Sequence, residues 1–341
     1  MSDIIFDFNT SKEEYRKFCE EKGKRLPIFI RDWYLDATVA EGAEWQVICI
    51  KEDQDIVAVF PFQYSKVRTK RGIQLYKIEN TFQMVRGGLW IDYDDCSTTG
   101  KNEKRLIDIS NQVIDRLPYY DSLNIKFDVD FTDWTPFYWR GFKQTTRYTY
   151  VMDPKNYGRD EEILLNSFQN RRKRTIKKAE RLYTVDFEMT GDDFYDFFST
   201  AYENKGEKLS FSYEQFHRLD NALAEHDVRI IYRAKDSDGS TIAASYTICD
   251  TQRWYDVFVA FKKEAVGARE LLSWYGMRDC VRKDIVYDFE GSMIPGVSIY
   301  NREFYVKKVP FFIISKDSDK MRILKSLKTI RESLEKKGRK K

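Results

Sequence analysis

Residues 254 to 289 decide the fold. The run Trp254-Tyr255-Asp256-Val257-Phe258-Val259-Ala260-Phe261 is apolar, aromatic and of strand length. Lys262-Lys263-Glu264-Ala265-Val266-Gly267 is a polar turn ending in glycine, Ala268 to Lys283 reads as a helix, and Ile285-Val286-Tyr287-Asp288-Phe289 reads as a second strand. Strand, glycine turn, helix and strand make up an α/β unit. Upstream, Val228–Ala234 and Thr241–Cys249 flank Asp236-Ser237-Asp238-Gly239, a hairpin with a strong Asp-Gly signal. Before them the spacing predicts one long helix from Asp160 to about Leu182 and another from Asp192 to Asn204. Downstream come a short aromatic helix (Ser298–Phe304), a strand (Pro310–Ile314) and an amphipathic helix from Lys316 to Leu334. Its stripe of Ile323, Leu324, Leu327, Ile330 and Leu334 is expected to be buried together.

The first half repeats this plan. A helix over 11–21, with Ser11 as N-cap, precedes a hairpin of Trp45–Ile50 and Ile56–Phe62, where Pro61 suggests an edge or a bulge. A helix (Lys104–Leu117), a strand (Leu123–Phe127), a short aromatic helix (Pro136–Phe142) and a strand (Tyr148–Met152) follow. Asp153-Pro154 and Asn156-Tyr157-Gly158 break the pattern. The expectation is an α/β (α+β) chain of two tandem domains, residues 1–153 and 154–315, each a mixed twisted sheet flanked by helices. Residues 316–341 form a terminal helix and basic tail.

Composition narrows the function. The 341 residues are 42% apolar and 33% charged, which excludes collagen-like and globally disordered classes. Net charge is 58 − 55 = +3, so any basic patch is local and DNA is not an expected partner. No apolar stretch approaches the roughly 20 residues that span a bilayer. Acids in Met1-Ser2-Asp3-Ile4-Ile5-Phe6-Asp7 stand where a signal peptide is basic, so a cytoplasmic address is expected. Cys19, Cys49, Cys96, Cys249 and Cys280 are odd in number, scattered and without metal-site spacing. They read as reduced thiols, and no metal is expected.

Four stretches carry a family resemblance: Pro27-Ile28-Phe29-Ile30-Arg31-Asp32-Trp33-Tyr34-Leu35-Asp36-Ala37, Phe137 to Tyr150, Asn170 to Arg181, and Asp288 to Val297. In combination the chain resembles the bacterial GNAT-superfamily acyltransferases of the Fem-like, peptidoglycan-bridge-factor type, over nearly its whole length to about Ser315. The resemblance implies two GNAT-like domains, an active second domain and a tail helix that returns to the first. It implies an N-acyltransferase moving an acetyl or larger acyl group from acetyl-CoA or another acyl-CoA to an amine, such as an amino sugar or other cell-envelope precursor. Two alternatives stand beside this reading: a Fem-type aminoacyltransferase using charged tRNA, and a non-catalytic binding module with a decayed site.

Acyl transfer by direct attack needs a base for the amine proton and a donor for the developing oxyanion. It needs no Ser-His-Asp grouping, which suits a chain whose only histidines are His217 and His226. Glu290 is the first candidate for base or amine positioning and Asp256 the second; both can also be read as caps or ion-pair partners. Asp288 is expected to share a side with Glu290 and to face substrate. Tyr300 and Tyr305 are phenols that can protonate a leaving thiolate, although the family usually shows Phe and Gly near these places. The family's phosphate-binding pattern, Q/R-x-x-G-x-G/A, falls on Glu264 to Arg269, where Gly267 alone matches. Lys262, Lys263, Gly267, Ala268 and Arg269 are the expected donor-binding group. Finally, Arg171, Arg172, Lys173, Arg174, Lys177, Lys178 and Arg181 crowd one helix. Arg171, Arg174 and Lys178 share a face, which reads either as an anion site for substrate or tRNA or as a solvated surface.

Overall fold

The computed structural model describes residues 8–93, 99–291 and 293–338. The N-terminus from Met1 to Asp7, Cys96, Ser292 and the side chains from residue 333 onward, Leu334 and the basic end among them, lie outside the described residues. The chain divides into two compact units, Met1–Thr146 with Phe311–Lys341, and Arg147–Pro310.

The first unit opens with α1 (Phe8–Lys22) and α2 (Asp32–Thr38), then β1 (Ala43–Glu52), β2 (Asp55–Arg68), β3 (Gln74–Glu79) and β4 (Trp90–Ile91). After α3 (Thr99–Asp115) come β5 (Ser122–Lys126) and α4 (Thr135–Trp139). The strands line up β1-β2-β3-β5, with β4 beside β2; β3 and β5 are parallel and the other pairs antiparallel. Leu106, Ile109 and Val113 of α3 meet Phe60, Ile125, Phe127 and Phe137 in the core. Pro61 lies inside the sheet, opposite Val47 of β1. On its other side β2 pairs with β4 at Ala58–Val59 and with β3 from Gln63 onward, so Pro61 falls between partners and its missing N–H breaks no ladder there.

The second unit contains β6 (Lys143–Met152), α5 (Glu161–Ser167), α6 (Asn170–Leu182), β7 (Thr184–Asp186), α7 (Gly191–Glu203) and α8 (Tyr213–Glu225). It continues through β8 (Arg229–Lys235), β9 (Thr241–Cys249), β10 (Arg253–Phe261), α9 (Ala268–Lys283), β11 (Val286–Asp288) and α10 (Pro295–Arg302). Its strands line up β6-β11-β10-β9-β8-β7, and β10 with β11 is the parallel pair. The chain then returns to the first unit in β12 (Lys307–Asp317), antiparallel to β5 from Ile313 to Asp317, and ends in α11 (Asp319–Gly338). Each unit is a mixed sheet with helices packed on it, as expected.

Several details depart from the sequence reading. The boundaries fall at Thr146/Arg147 and Pro310/Phe311, within β6 and β12, instead of at residues 153 and 315. Val151 and Met152 already pair with β11, whereas residues from Ile313 pair with β5, so the ladders set the division and the Asp153-Pro154 break does not. The long helix expected from Asp160 is two helices. Phe168 and Gln169 are extended; Phe168 is buried against Trp274 and Phe304, and the Gln169 N–H donates to the Glu303 carbonyl at 3.3 Å. Helix α8 was not expected, although Ser212 and Gln215 form a full capping box at its start. The tail stripe is not buried: Ile323, Leu327 and Ile330 are 61%, 53% and 56% exposed, and Leu324 is half-buried.

Candidate active site in the second unit

Strands β10 and β11 run parallel and pair only at Arg253–Tyr255 with Val286–Asp288. Beyond that, β10 continues alone on this side to Phe261 while β11 stops. Ligands in α/β sheets gather outside the carboxyl ends of such strands, where neighbours diverge. A register shift between Asp256 and Phe258 leaves no β9 residue opposite Val257, so β10 carries a bulge at the parting point.

Asp256 stands at this bulge. Its carboxylate accepts hydrogen bonds from Ser245 Oγ and the Tyr287 phenol, and the Arg269 guanidinium lies close enough to attract it. Burial is the strongest influence and holds its pKa above the ordinary 3.8, against those three stabilising contacts. Tyr287 is itself buried over Gly276 of α9; a Cβ there would come within 2.7 Å of the ring. Gly276 is therefore what lets α9 sit against this phenol.

The start of α9 closes one wall. Gly267 is its N-cap, with φ +83°. A Cβ on Gly267 would meet Thr175 Cγ2 at 3.0 Å and Ala179 Cβ at 3.2 Å on α6, so backbone conformation and helix approach both require glycine here. Gly267 is buried against α6 and Ala268 in the cluster of Tyr232, Ala243 and Leu272; Lys262 and Arg269 are half-buried and Lys263 is exposed. The Arg269 guanidinium lies 3.8 Å from the centre of the Tyr300 ring. The Tyr300 hydroxyl shares a 3.0 Å hydrogen bond with Ser273 Oγ, and burial lifts its pKa to about 12. Tyr305, in contrast, is exposed with φ +55°.

The end of β11 forms the opposite wall. Asp288 is fully buried; its carboxylate takes the Thr149 hydroxyl, the Glu290 N–H at 2.9 Å and Arg253 Nη1 at 3.4 Å. The alternation expected to put Asp288 and Glu290 side by side ends at Asp288, because Glu290 turns into the left-handed region at φ +51°. Gly291 N–H donates to Thr149 Oγ1 at 3.0 Å, and a Cβ on Gly291 would lie 2.2 Å from the Tyr148 carbonyl oxygen. Asp288 thus locks the loop that presents the half-buried Glu290.

The basic run on α6 splits by position. Arg171, Arg174, Lys177, Lys178 and Arg181 are exposed. Arg172 is buried, paired with Glu270 of α9 and with Glu303 at 2.6 Å, and its guanidinium lies 4.5 Å from the Tyr300 ring centre. Sequence reasoning gave no role to the side chains of Glu270, Ser245, Ser273 and Thr149, which matter through these contacts. The histidines lie away from this cleft: His217 Nδ1 is 3.1 Å from Asp192 at the exposed side of α8, and His226 caps that helix. Burial pushes the Cys19 and Cys49 thiols up to about 12, which leaves both as weak nucleophiles at neutral pH.

Residues 166–300 match the acetyltransferase (GNAT) domain family. Over that range the chain is similar to GNAT acetyltransferases. The matched range runs from the end of α5 to α10 and includes both walls of the cleft. The fold likeness covers both units. The crystal structure of FemX is 16% identical with a TM-score of 0.64, over 88% of this chain and 95% of that one. The C-terminal domain of a putative lysylphosphatidylglycerol synthetase from Agrobacterium fabrum is 8% identical with a TM-score of 0.52, over 94% and 96%. A conserved protein of unknown function from Bacteroides thetaiotaomicron is 9% identical with a TM-score of 0.52, over 92% and 98%. These likenesses show a Fem-like tandem GNAT fold. No curated protein matches the chain by sequence. No helix among the described residues is long and apolar enough to cross a membrane.

Proposed function

We propose that the GNAT domain is an N-acyltransferase that works by direct attack of an amine on an activated acyl group held where β10 and β11 part. The observation that carries this is Asp256, a carboxylate with a raised pKa placed at the bulge where β10 loses its parallel partner. A base of raised pKa accepts a proton from an attacking ammonium-derived amine more readily than a solvated carboxylate does. Glu290, presented by the Asp288 lock, positions the amine. The backbone at Val257 faces the carbonyl oxygen as charge builds there. Tyr300 remains protonated at neutral pH and supplies the proton to the leaving group; Tyr305 takes no part. Asp288 acts through Glu290 as a positioning residue instead of touching substrate.

In the first reading the donor is a CoA thioester, acetyl-CoA or a longer acyl-CoA. The GNAT match supports it, with Lys262, Lys263 and Arg269 around the Gly267–Ala268 helix start. The acceptor class is an amine on an amino sugar or other envelope precursor. A second reading has a specific observation in its favour. Gly267 lies against α6, Ala268 is buried, and Tyr300 stacks on Arg269, so little of the glycine turn is open to a diphosphate. The exposed Arg171, Arg174 and Lys178 offer a phosphate-binding face instead, which suits an aminoacyl-tRNA donor.

The test offers the full chain acetyl-CoA or charged tRNA with a panel of amines, nucleotide-linked amino sugars included, and reads the added acyl mass. Acetyl transfer supports the first reading and aminoacyl transfer the second. A non-catalytic binding module is the result if neither donor yields product although one of them binds.

A further inference from the structure

Among the described residues nothing covers an apolar stripe on helix α11. Ile323, Leu327 and Ile330, spaced four and three residues apart, lie on one face and are all exposed. The helix is nonetheless anchored: Ser318 Oγ accepts the Met321 N–H at 3.2 Å, and the preceding β12 is paired to β5. Its sequence, Asp319–Gly338, holds seven Lys and Arg against three Asp and Glu. The side chains of Arg322, Lys325 and Lys328 are exposed; their acidic neighbours are Asp319, Asp317 and Glu332.

Exposed aromatics flank the helix start. Tyr119 donates its hydroxyl to Asp121 at 3.0 Å, and the same carboxylate takes the Ser318 hydroxyl at 3.2 Å. Trp139 is exposed at the end of α4, where Lys316 Nζ donates to the next carbonyl, that of Arg140, at 2.7 Å. Exposed aromatic and basic groups thus lie near the start of α11.

We propose that α11 docks on an anionic membrane surface, with the Ile323–Leu327–Ile330 face in the headgroup region. Aliphatic side chains gain from the acyl boundary, basic ones from lipid phosphates, and Trp and Tyr favour the interface. A second copy of the chain fits less well. The stripe spans eight residues, little more than one heptad and short of the three or four a coiled coil sustains, and two copies would bring like charges together. Nucleic acid would use the cations but leave the aliphatic face in water.

The test is co-sedimentation of the full chain with phosphatidylcholine vesicles, with and without phosphatidylglycerol. Binding is expected only when phosphatidylglycerol is present, and it should weaken as salt rises. The triple variant Ile323→Ser, Leu327→Ser, Ile330→Ser should lose at least about tenfold in vesicle affinity with an unchanged thermal midpoint, since these side chains are exposed. Arg322→Gln with Arg331→Gln, on the two flanks of the stripe, should weaken binding several-fold. Equal binding to both vesicle types, or full binding by the triple variant, overturns the proposal. So does an absence of vesicle binding, whether with a dimer that the triple variant abolishes or with a tRNA complex that only the arginine variant weakens.

Discussion

Both units contain a parallel strand pair joined through a helix, and in both the pairing lasts three residues: Lys77–Glu79 with Ser122–Asn124 in the first, Arg253–Tyr255 with Val286–Asp288 in the second. The two differ past the paired residues. In the second unit β10 continues beyond its partner, carries Asp256 on a bulge and reaches α9 after a six-residue turn from Lys262 to Gly267. In the first unit β3 stops at Glu79, where the pairing stops, and α3 starts only at Thr99. That end opens instead into a polar cavity of about 270 Å³ lined by Glu79, Asn80, Gln83, Asn124 and Lys126, among others. The same topology thus supports parting strands with a half-buried carboxylate in one unit and an open polar hollow in the other. Chemistry depends on the site, and the fold alone does not supply it.

The largest expected effect separates the two ends. Asp256→Asn should lower kcat by about 10²- to 10⁴-fold on whichever acceptor the transfer screen identifies. Glu79→Gln, the carboxylate next to the matching Asn80 of the first unit, should leave kcat nearly unchanged. Comparable losses in kcat would erase the distinction between the units.

Next comes the lock at the end of β11. Gly291→Ala puts a methyl 2.2 Å from a carbonyl oxygen and should cost about 2 to 3 kcal/mol, read as a lower thermal midpoint. Gly296→Ala, five residues on and with nothing within 4 Å, should be neutral or stabilise slightly. Equal midpoints for the two variants would show that the loop around Glu290 is not locked.

A smaller effect arises from the raised pKa of Asp256. Burial makes the native state hold this proton more tightly than the unfolded chain does, so the group opposes folding increasingly as pH rises above 3.8. Asp256→Asn should therefore be more stable than the parent at pH 7 and should converge with it as pH falls below the ordinary 3.8. Denaturant titrations at the two pH values check this, and a variant less stable at pH 7 contradicts it.

The smallest effect concerns the outer face of α6. Arg174→Gln with Lys178→Gln should change stability by no more than about 0.5 kcal/mol, as both are exposed. Under the tRNA reading the same pair weakens tRNA binding and flattens its salt dependence. Under the CoA reading, affinity for acetyl-CoA is unaffected.

Much of this architecture was legible in the sequence because period and punctuation coincide. The helix expected from Ala268 to Lys283 has those bounds, since glycine ends the turn before it and a strand-forming run comes after it. Other features depend on contacts that sequence spacing does not report. Phe168 breaks a helical pattern because it packs against Trp274 and Phe304. Arg172 looks like its basic neighbours, yet Glu270 and Glu303 take it inward. Asp288 reads as a ligand-facing carboxylate until Thr149, Arg253 and the Glu290 N–H are seen around it. The α11 stripe shows the converse case: spacing found the face, and only the packing shows that the described residues leave it exposed.

Hydrogen–deuterium exchange of the full chain, with and without acetyl-CoA or charged tRNA, tests the central claim without knowledge of the acceptor. Protection by one of the two donors across residues 256–273 and 289–300 is the predicted result. Protection confined to the first unit, or none with either donor, would contradict the account.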